Sequence, residues 1–481
     1  MAKNAPSTTR IYQLVFGLAF LFISYGAVRT MMFGSTTKAK QIGFMAIAFA
    51  VVMWLDKLYW LVLPLCMMLN VRVPGLPFDS AELGCIALIG IHFIRTCLHR
   101  DTKVPWNRQI LAAFPLFFWI CIIWAINPAG MNIFGTSTMG GRFYFKIVLG
   151  FLSMVFLSAI RLGESECKLL FRVLVFGSLL SIVLTVTSPG PYAASDAASE
   201  APGSRYVLLS FSGLYYLVWS RYSLPEILSS LRLILIAGVS MSALALSGKR
   251  NVSASIGLYP IYRALLTGKH LTRTLVIGIL AFMSLSLVVA MDGQILQIPE
   301  STKRSLAMIY PKYRSRAREG LHDTFRDDLR IRAREIIRNH PWVGRRGFRL
   351  ELADMSWLVG QRRGERGEGH AYTGSWHSAI YAYAADFGLP CLVFFLLFVW
   401  FNLRFAFRYA RRIPCGTYAS ASFLYYALSC VHGAVCMYTS GHSSFTTFDS
   451  FLRFGMLIAI ANGFEYKESP RQEAEGIVAA Q

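Results

Sequence analysis

The chain has 481 residues, 55% of them hydrophobic and only 15% charged, and a mean hydropathy of +0.46. So little charged surface cannot cover soluble domains with that much apolar side chain, which excludes a set of soluble globular domains and points to an all-α polytopic membrane protein. A formal charge of +22 then has two uses: Lys and Arg retained on the cytoplasmic side, or recognition of phosphate, pyrophosphate or anionic lipid.

In chain order, Lys3 and Arg10 precede an apolar run from Ile11 to Val28 with no clean cleavage site after it, which reads as a retained first span rather than a signal peptide. Spanning takes about 17–25 mainly apolar residues. Candidate spans lie near 11–28, 41–55, 58–71, 81–98, 109–126, 144–160, 169–187, 206–220, 231–247, 251–266, 274–291, 378–402, 417–438 and 448–464. The second and third are short and the tenth is weakly apolar, so about 12–14 transmembrane helices are expected.

With the N-terminus placed inside, alternation collects Arg95, Arg100, Lys103, Arg108, Arg161, Lys168, Arg172, Arg221, Arg232, Arg263, Lys269, Arg273, Arg404, Arg408, Arg411 and Arg412 on the cytoplasmic side. Residues 127–141 have no basic side chain, and 188–204 carry Asp196 and Glu200 instead. This is the positive-inside asymmetry, with Arg29, Lys38 and Lys40 on the wrong side. The expected organisation is an N-terminal helix bundle over 1–291, a large extracytoplasmic loop over 292–376, C-terminal helices over 377–465 and a cytoplasmic tail over 466–481. Both termini come out cytoplasmic. Within the loop, helix is expected around Thr324 to Asn339, then a turn over HPWVGRRG (340–347), and flexibility over GQRRGERGEGH (360–370). The nine cysteines show no CxxC or zinc spacing and none falls in the loop, so structural disulfides are not expected there.

Three places could carry chemistry. His377 and Ser378 stand where the loop meets an incoming helix, whose first turn offers free N–H groups and a positive dipole end. A neutral imidazole there could take a proton from a hydroxyl; the plainer reading is an interfacial cap. Lys249 and Arg250, in SGKR, stand at the outside end of a span. They could bind phosphate oxygens or snorkel to headgroups, and the same choice applies to Arg142 and Arg205. At helical spacing Arg326, Arg330 and Arg334 line one face, either on an anionic partner or solvated and paired with Asp327, Asp328 and Glu335. His340, before Pro341, reads as shaping its turn. No GxGxxG, Walker, HExxH or DxD-like acidic pattern occurs outside the membrane, so neither a metal nor a cofactor is expected. Arg72 and Glu82 lie near span ends, and His432 has no partner evident from sequence. A transporter would carry paired ionisable residues deep in its spans and helices broken by Gly or Pro.

The order of these features resembles the O-antigen ligase and O-antigen polymerase superfamily of bacterial envelope glycosyltransferases. RDDLRIRAREIIRNHPWVGRRGF matches the superfamily's loop motif, with Arg330 in place of a Trp. His377-Ser378, nine residues and Gly388 match its following motif, with Cys391 at the last small position. Ser247 to Arg250 approximates a motif ending an earlier span, and a common GNPN-like stretch is absent. The resemblance covers most of the chain. It implies a GT-C-like membrane glycosyltransferase of the inner membrane, acting at the periplasmic face on an undecaprenyl-pyrophosphate-linked glycan, with lipid A core or a growing glycan as acceptor. Membrane lipid is a partner and nucleic acid is not. His377 would be the base, Arg250 would stabilise the leaving diphosphate, and Lys249, Arg142, Arg205, Arg326 and Ser378 would bind substrate. Asp449 would orient His377 or touch the acceptor. Ligase and polymerase share the donor and motifs, so both stand, and transport of a lipid-linked glycan or a solute is the alternative of another class.

Overall fold

A computed structural model describes residues 56–69, 78–98, 107–127, 141–187, 208–247, 250–307, 310–313, 322–345, 347, 376, 378–438 and 443–479. Among them there is no strand, only an isolated bridge between Asp292 and Leu296. The chain divides into two compact units, Met1–Val104 and Pro105–Gln481.

In the first unit a 3-10 turn, Asp56–Leu61, leads into α1 (Val62–Leu69), and α2 (Ser80–Leu98) returns against it. Asp79 and Glu82 cap α2 reciprocally, each carboxylate accepting the other's backbone N–H at 2.9 and 2.7 Å. Ser80 donates to the Cys66 carbonyl at 2.8 Å, and buried Tyr59 and His92 meet at 3.0 Å. Glu82 is thus an end cap, as its sequence position suggests. The candidate spans 11–28 and 41–55, with Arg29, Lys38, Lys40 and Arg72, lie outside the described residues.

The second unit contains α3 (Arg108–Ile126), α4 (Gly141–Ser158), α5 (Glu164–Thr187), α6 (Ser212–Arg221), α7 (Leu224–Leu228), α8 (Leu231–Leu246), α9 (Arg250–Thr267) and α10 (Leu271–Met291). Then come α11 (Glu300–Leu306), α12 (His322–Asn339), α13 (Ala379–Phe387), α14 (Leu389–Arg412), α15 (Tyr418–Val435) and α16 (Ser443–Ala479). Among the described residues five stretches are long and apolar enough to cross a bilayer: Arg108–Ile126, Gly141–Ser158, Glu164–Val186, Leu271–Met291 and Leu389–Arg412. They make this an all-α, multi-pass membrane protein.

Burial sorts these helices. The apolar window of α4 is 78% buried against 11% for α10, which presents Val276, Ile279, Phe282, Met283 and Leu287 outward. Helix α4 is therefore central, and α10 lies where lipid would cover it. Small residues let α4 and α16 approach closely. A Cβ on Gly150 would stand 3.0 Å from the Phe448 ring, and one on Gly455 would stand 3.0 Å from the Met154 Cα.

The basic loops near 161–172, 221–232, 263–273 and 404–417 gather at one end of this unit. Glu164 at the start of α5 accepts the Tyr418 and Ala419 backbone N–H groups at 2.6 and 2.9 Å. Arg221, ending α6, donates to the Gly416 carbonyl, and Arg411, ending α14, to that of Leu265. At the other end α10 closes in a knot around Asp292. Its carboxylate accepts the Ile298 N–H at 2.8 Å and the Tyr313 hydroxyl at 3.0 Å, with Lys303 Nζ at 3.4 Å. The Ile298 N–H, helped by Tyr313 and Lys303 and opposed by burial, holds this carboxyl below the usual carboxylate range.

One expected span is corrected. The run 378–402 is two helices, α13 and α14, broken at Gly388 with φ 87° and ψ 169°. Hydropathy reads the run as continuous, but this backbone region is open only to glycine, and Pro390 stands in the first turn of α14, where its missing N–H costs no helical bond. Among the described residues no cysteine whose side chain is placed forms a disulfide.

Candidate functional site

The loop helix α12 is amphipathic, and its apolar stripe decides where it docks. Leu329 and Ala333 are buried with Trp376, Ala382 and Ala385, and Ile336 and Ile337 pack beside them. This one-turn repeat covers the face of α13. The neighbouring basic stripe is turned partly back onto the same helix: Arg334 Nε donates to the Tyr381 hydroxyl at 3.2 Å, and its guanidinium lies 5.9 Å from that ring.

After α12 the HPWVGRRG turn meets the α13–α14 break first through its backbone. Arg345 N–H donates to the Ala385 carbonyl at 2.8 Å, Gly347 N–H to that of Asp386 at 2.6 Å, and Leu389 N–H to that of Pro341 at 2.7 Å. Two glycines make the approach possible. A Cβ on Gly344 would stand 2.5 Å from the Ala385 oxygen, and one on Gly388 would stand 2.1 Å from the Trp342 oxygen. Side chains finish the joint: buried Asp386 accepts Arg345 Nε at 2.8 Å and the Trp376 indole N–H at 2.9 Å. The indole N–H of Trp119, on α3, donates to the Phe387 carbonyl at 2.9 Å, tying the break to the bundle.

The spacing between Ser378 and Gly388 thereby acquires a physical meaning. The nine residues between them are the nine residues of α13, with Ser378 at its N-cap and Gly388 at its C-cap. Ser378 is buried, its hydroxyl makes no capping bond and instead donates to the Met437 carbonyl at 3.4 Å.

Beside this helix start lies a cavity of about 130 Å³, lined among others by Ala379, Phe395, Ser429, Met437, Asp449 and Arg453. Arg453 Nη2 donates to Asp449 Oδ2 at 3.2 Å, one helical turn away on α16, and Nη1 to the Ser429 carbonyl at 3.5 Å. The two side chains are 31% and 49% exposed, so they face open space rather than the core. A guanidinium that cannot lose its proton and a carboxylate able to accept from a hydroxyl thus face a cavity beside the N-terminus of α13.

Of the residues singled out from sequence, the cavity brings together Asp449 and the start of α13, the residue after Ser378. Arg142 is 3% exposed on the first turn of α4 and is not among the described residues lining it. Lys146, one turn on, is equally buried, with Nζ 5.9 Å from the Phe448 ring. Arg250 begins α9 and Arg326 lies in α12, but both side chains, and all of His377, Lys249 and Arg205, lie outside the described residues. Arg453, Asp386 and Lys146 were missed. An arginine within FLRFG, four residues after Asp449, was the available signal for the first. His432 does have neighbours: Cys436 Sγ lies 3.7 Å from its Nε2, and the Tyr259 and Tyr262 rings flank it at 5.5 and 6.2 Å. Among the described residues no three His, Cys, Asp or Glu side chains cluster as metal ligands.

Comparison with models of known protein families, and with curated proteins, finds no match to this chain.

Proposed function

We propose that this protein is a metal-independent membrane glycosyltransferase of O-antigen ligase or polymerase type. It would have a GT-C-like fold in the bacterial inner membrane, both termini cytoplasmic and the 292–376 segment in the periplasm. Its donor would be an undecaprenyl-pyrophosphate-linked glycan, its acceptor lipid A core or a growing polysaccharide. One observation carries the reading. The two motifs behind the resemblance, HPWVGRRG and HS with nine residues to Gly388, form one joint through three backbone hydrogen bonds, and their spacing equals one capped helix.

The chemistry needs few parts. A lipid diphosphate is already a good leaving group, so the site must supply charge stabilisation and a base for the acceptor hydroxyl. His377, the residue before the N-cap of α13, is the base in this reading. Arg250 stabilises the diphosphate, and Lys249, Arg142, Arg205 and Arg326 are further cations for donor or acceptor. Arg453 joins them from the geometry, paired with Asp449, the carboxylate that would orient His377 or touch the acceptor.

A second reading, movement of a lipid-linked glycan or a solute, is favoured by two observations: the helix broken at Gly388 and the Asp449–Arg453 pair on α16. Purified protein in detergent, given polyprenyl-pyrophosphate oligosaccharide without nucleotide or metal, separates them. Transfer to lipid A core alone indicates a ligase, and a ladder of repeats a polymerase. His377→Ala and Arg250→Ala are expected to abolish transfer while still inserting and folding. No product from folded wild type with authentic substrates would reject the transferase and favour transport.

A further inference from the structure

Helix α15 runs between two cavities. Ser429, Cys430, Gly433 and Ala434 in its C-terminal half border the one beside α13. Gly416, just before its first turn, borders another of about 190 Å³ at the basic end of the bundle, lined by Arg221, Glu226, Arg263, Lys269 and His270 among others. Three cations against one carboxylate leave this second cavity with two net positive charges, the complement of a small dianion.

Arg263 is the most buried cation lining it. The residue is 9% exposed, Nη2 donates to the Arg221 carbonyl at 3.4 Å, and Nη1 is fully shielded without a hydrogen-bond partner. Buried guanidinium nitrogens are almost always satisfied, because leaving one unmade forfeits its hydration with nothing in return. Arg221 is fixed next to it by the Gly416 carbonyl and by the Tyr418 ring 4.4 Å away. The chain between α9 and α10 turns through two left-handed residues, Gly268 at φ 68° and His270 at φ 58°. That conformation is unfavourable for a residue with a Cβ, and here it brings Lys269 and His270 to the rim. Glu226 is the one opposing charge, and its Oε2 is already occupied by the Ser223 hydroxyl and N–H, both at 2.6 Å.

We propose that this cavity is a phosphate-binding site, with the Arg263 guanidinium and Lys269 as the donors to the bound group. Both a phospholipid headgroup and free phosphate offer that chemistry, and binding measurements can tell them apart. The full chain in detergent is titrated with inorganic phosphate and, separately, with a short-chain phosphatidic acid, following heat of binding and thermal unfolding. Saturable binding of inorganic phosphate assigns a free anion. Binding of phosphatidic acid without inorganic phosphate assigns a headgroup. Arg263→Gln and Lys269→Ala are each expected to weaken the bound ligand about tenfold or more, and Glu226→Gln to tighten it. Lys269 is exposed, so its variant folds even if the Arg263 variant does not. Wild type that binds neither ligand, or a folded Lys269→Ala variant that binds as tightly as wild type, overturns the assignment.

Discussion

At Gly388 two constraints fall on one Cα. Its φ of 87° with ψ near 169° is closed to residues with a side chain, and a Cβ would stand 2.1 Å from a backbone oxygen that has no free rotation. Gly416 has the same φ of 87° but nothing within 4 Å. The pair therefore separates strain from collision. Gly416→Ala is expected to cost about 1–2 kcal/mol, and Gly388→Ala about 3–5 kcal/mol, read as loss of thermal stability in detergent. Equal losses at the two sites would reject the close approach at Trp342. The motif spacing picked out Gly388, but the reason for it was not legible, because Trp342 is remote in sequence and neither hydropathy nor periodicity reports φ. Arg453 escaped for a different reason. Counting charges by loop weighs cations between spans, and a cation inside a span next to its own carboxylate changes no such count.

Among the elements, those whose identity follows from local pattern match the sequence reading closely. Expected spans at 109–126, 231–247 and 274–291 correspond to Arg108–Ile126, Leu231–Leu246 and Leu271–Met291, and the expected loop helix and turn occur as well. What local pattern could not supply is docking. That α12 lies on α13 depends on Leu329 and Ala333 meeting Trp376, and that the turn holds depends on Asp386 accepting from both Arg345 and Trp376. Asp386 is 0% exposed and looks in sequence like any acid near a helix end. Because it is buried, removing it takes an ion-pair partner from a guanidinium and an acceptor from an indole N–H. Asp386→Ala is expected to cost about 3–5 kcal/mol, and the double variant Arg345→Ala with Asp386→Ala less than the two losses added. Amide exchange at Arg345 and Gly347, whose N–H groups bond to α13, should quicken in the single variant. Unchanged exchange there would mean the backbone bonds alone hold the turn, leaving the ion pair incidental.

For the molecule as a whole, the packing and the charge distribution tell one story. The ends of α6, α9 and α14 and the starts of α5 and α15 meet at one pole through Arg221, Arg411 and Glu164. These are the loops in which the basic residues concentrate. Helix α10 leaves that pole at Leu271 and ends at Met291 beside the Asp292 knot. Its 21 residues rise about 31 Å at 1.5 Å each, the thickness of a bilayer's hydrocarbon core. Its outward apolar face is what lipid would have to cover. Fusions that end after Gly268 and after Gly416 are therefore expected to carry a fluorescent cytoplasmic reporter and an inactive periplasmic phosphatase. A fusion after Gln294 is expected to show the reverse. The comparison between 268 and 294 is the sharper one, since a single helix separates them and no other element can compensate. The same reporter state at both would mean that α10 does not cross, and the polar segment after it would then share a side with the basic pole. In that case the periplasmic placement of the 292–376 segment, and of glycan transfer with it, would fail.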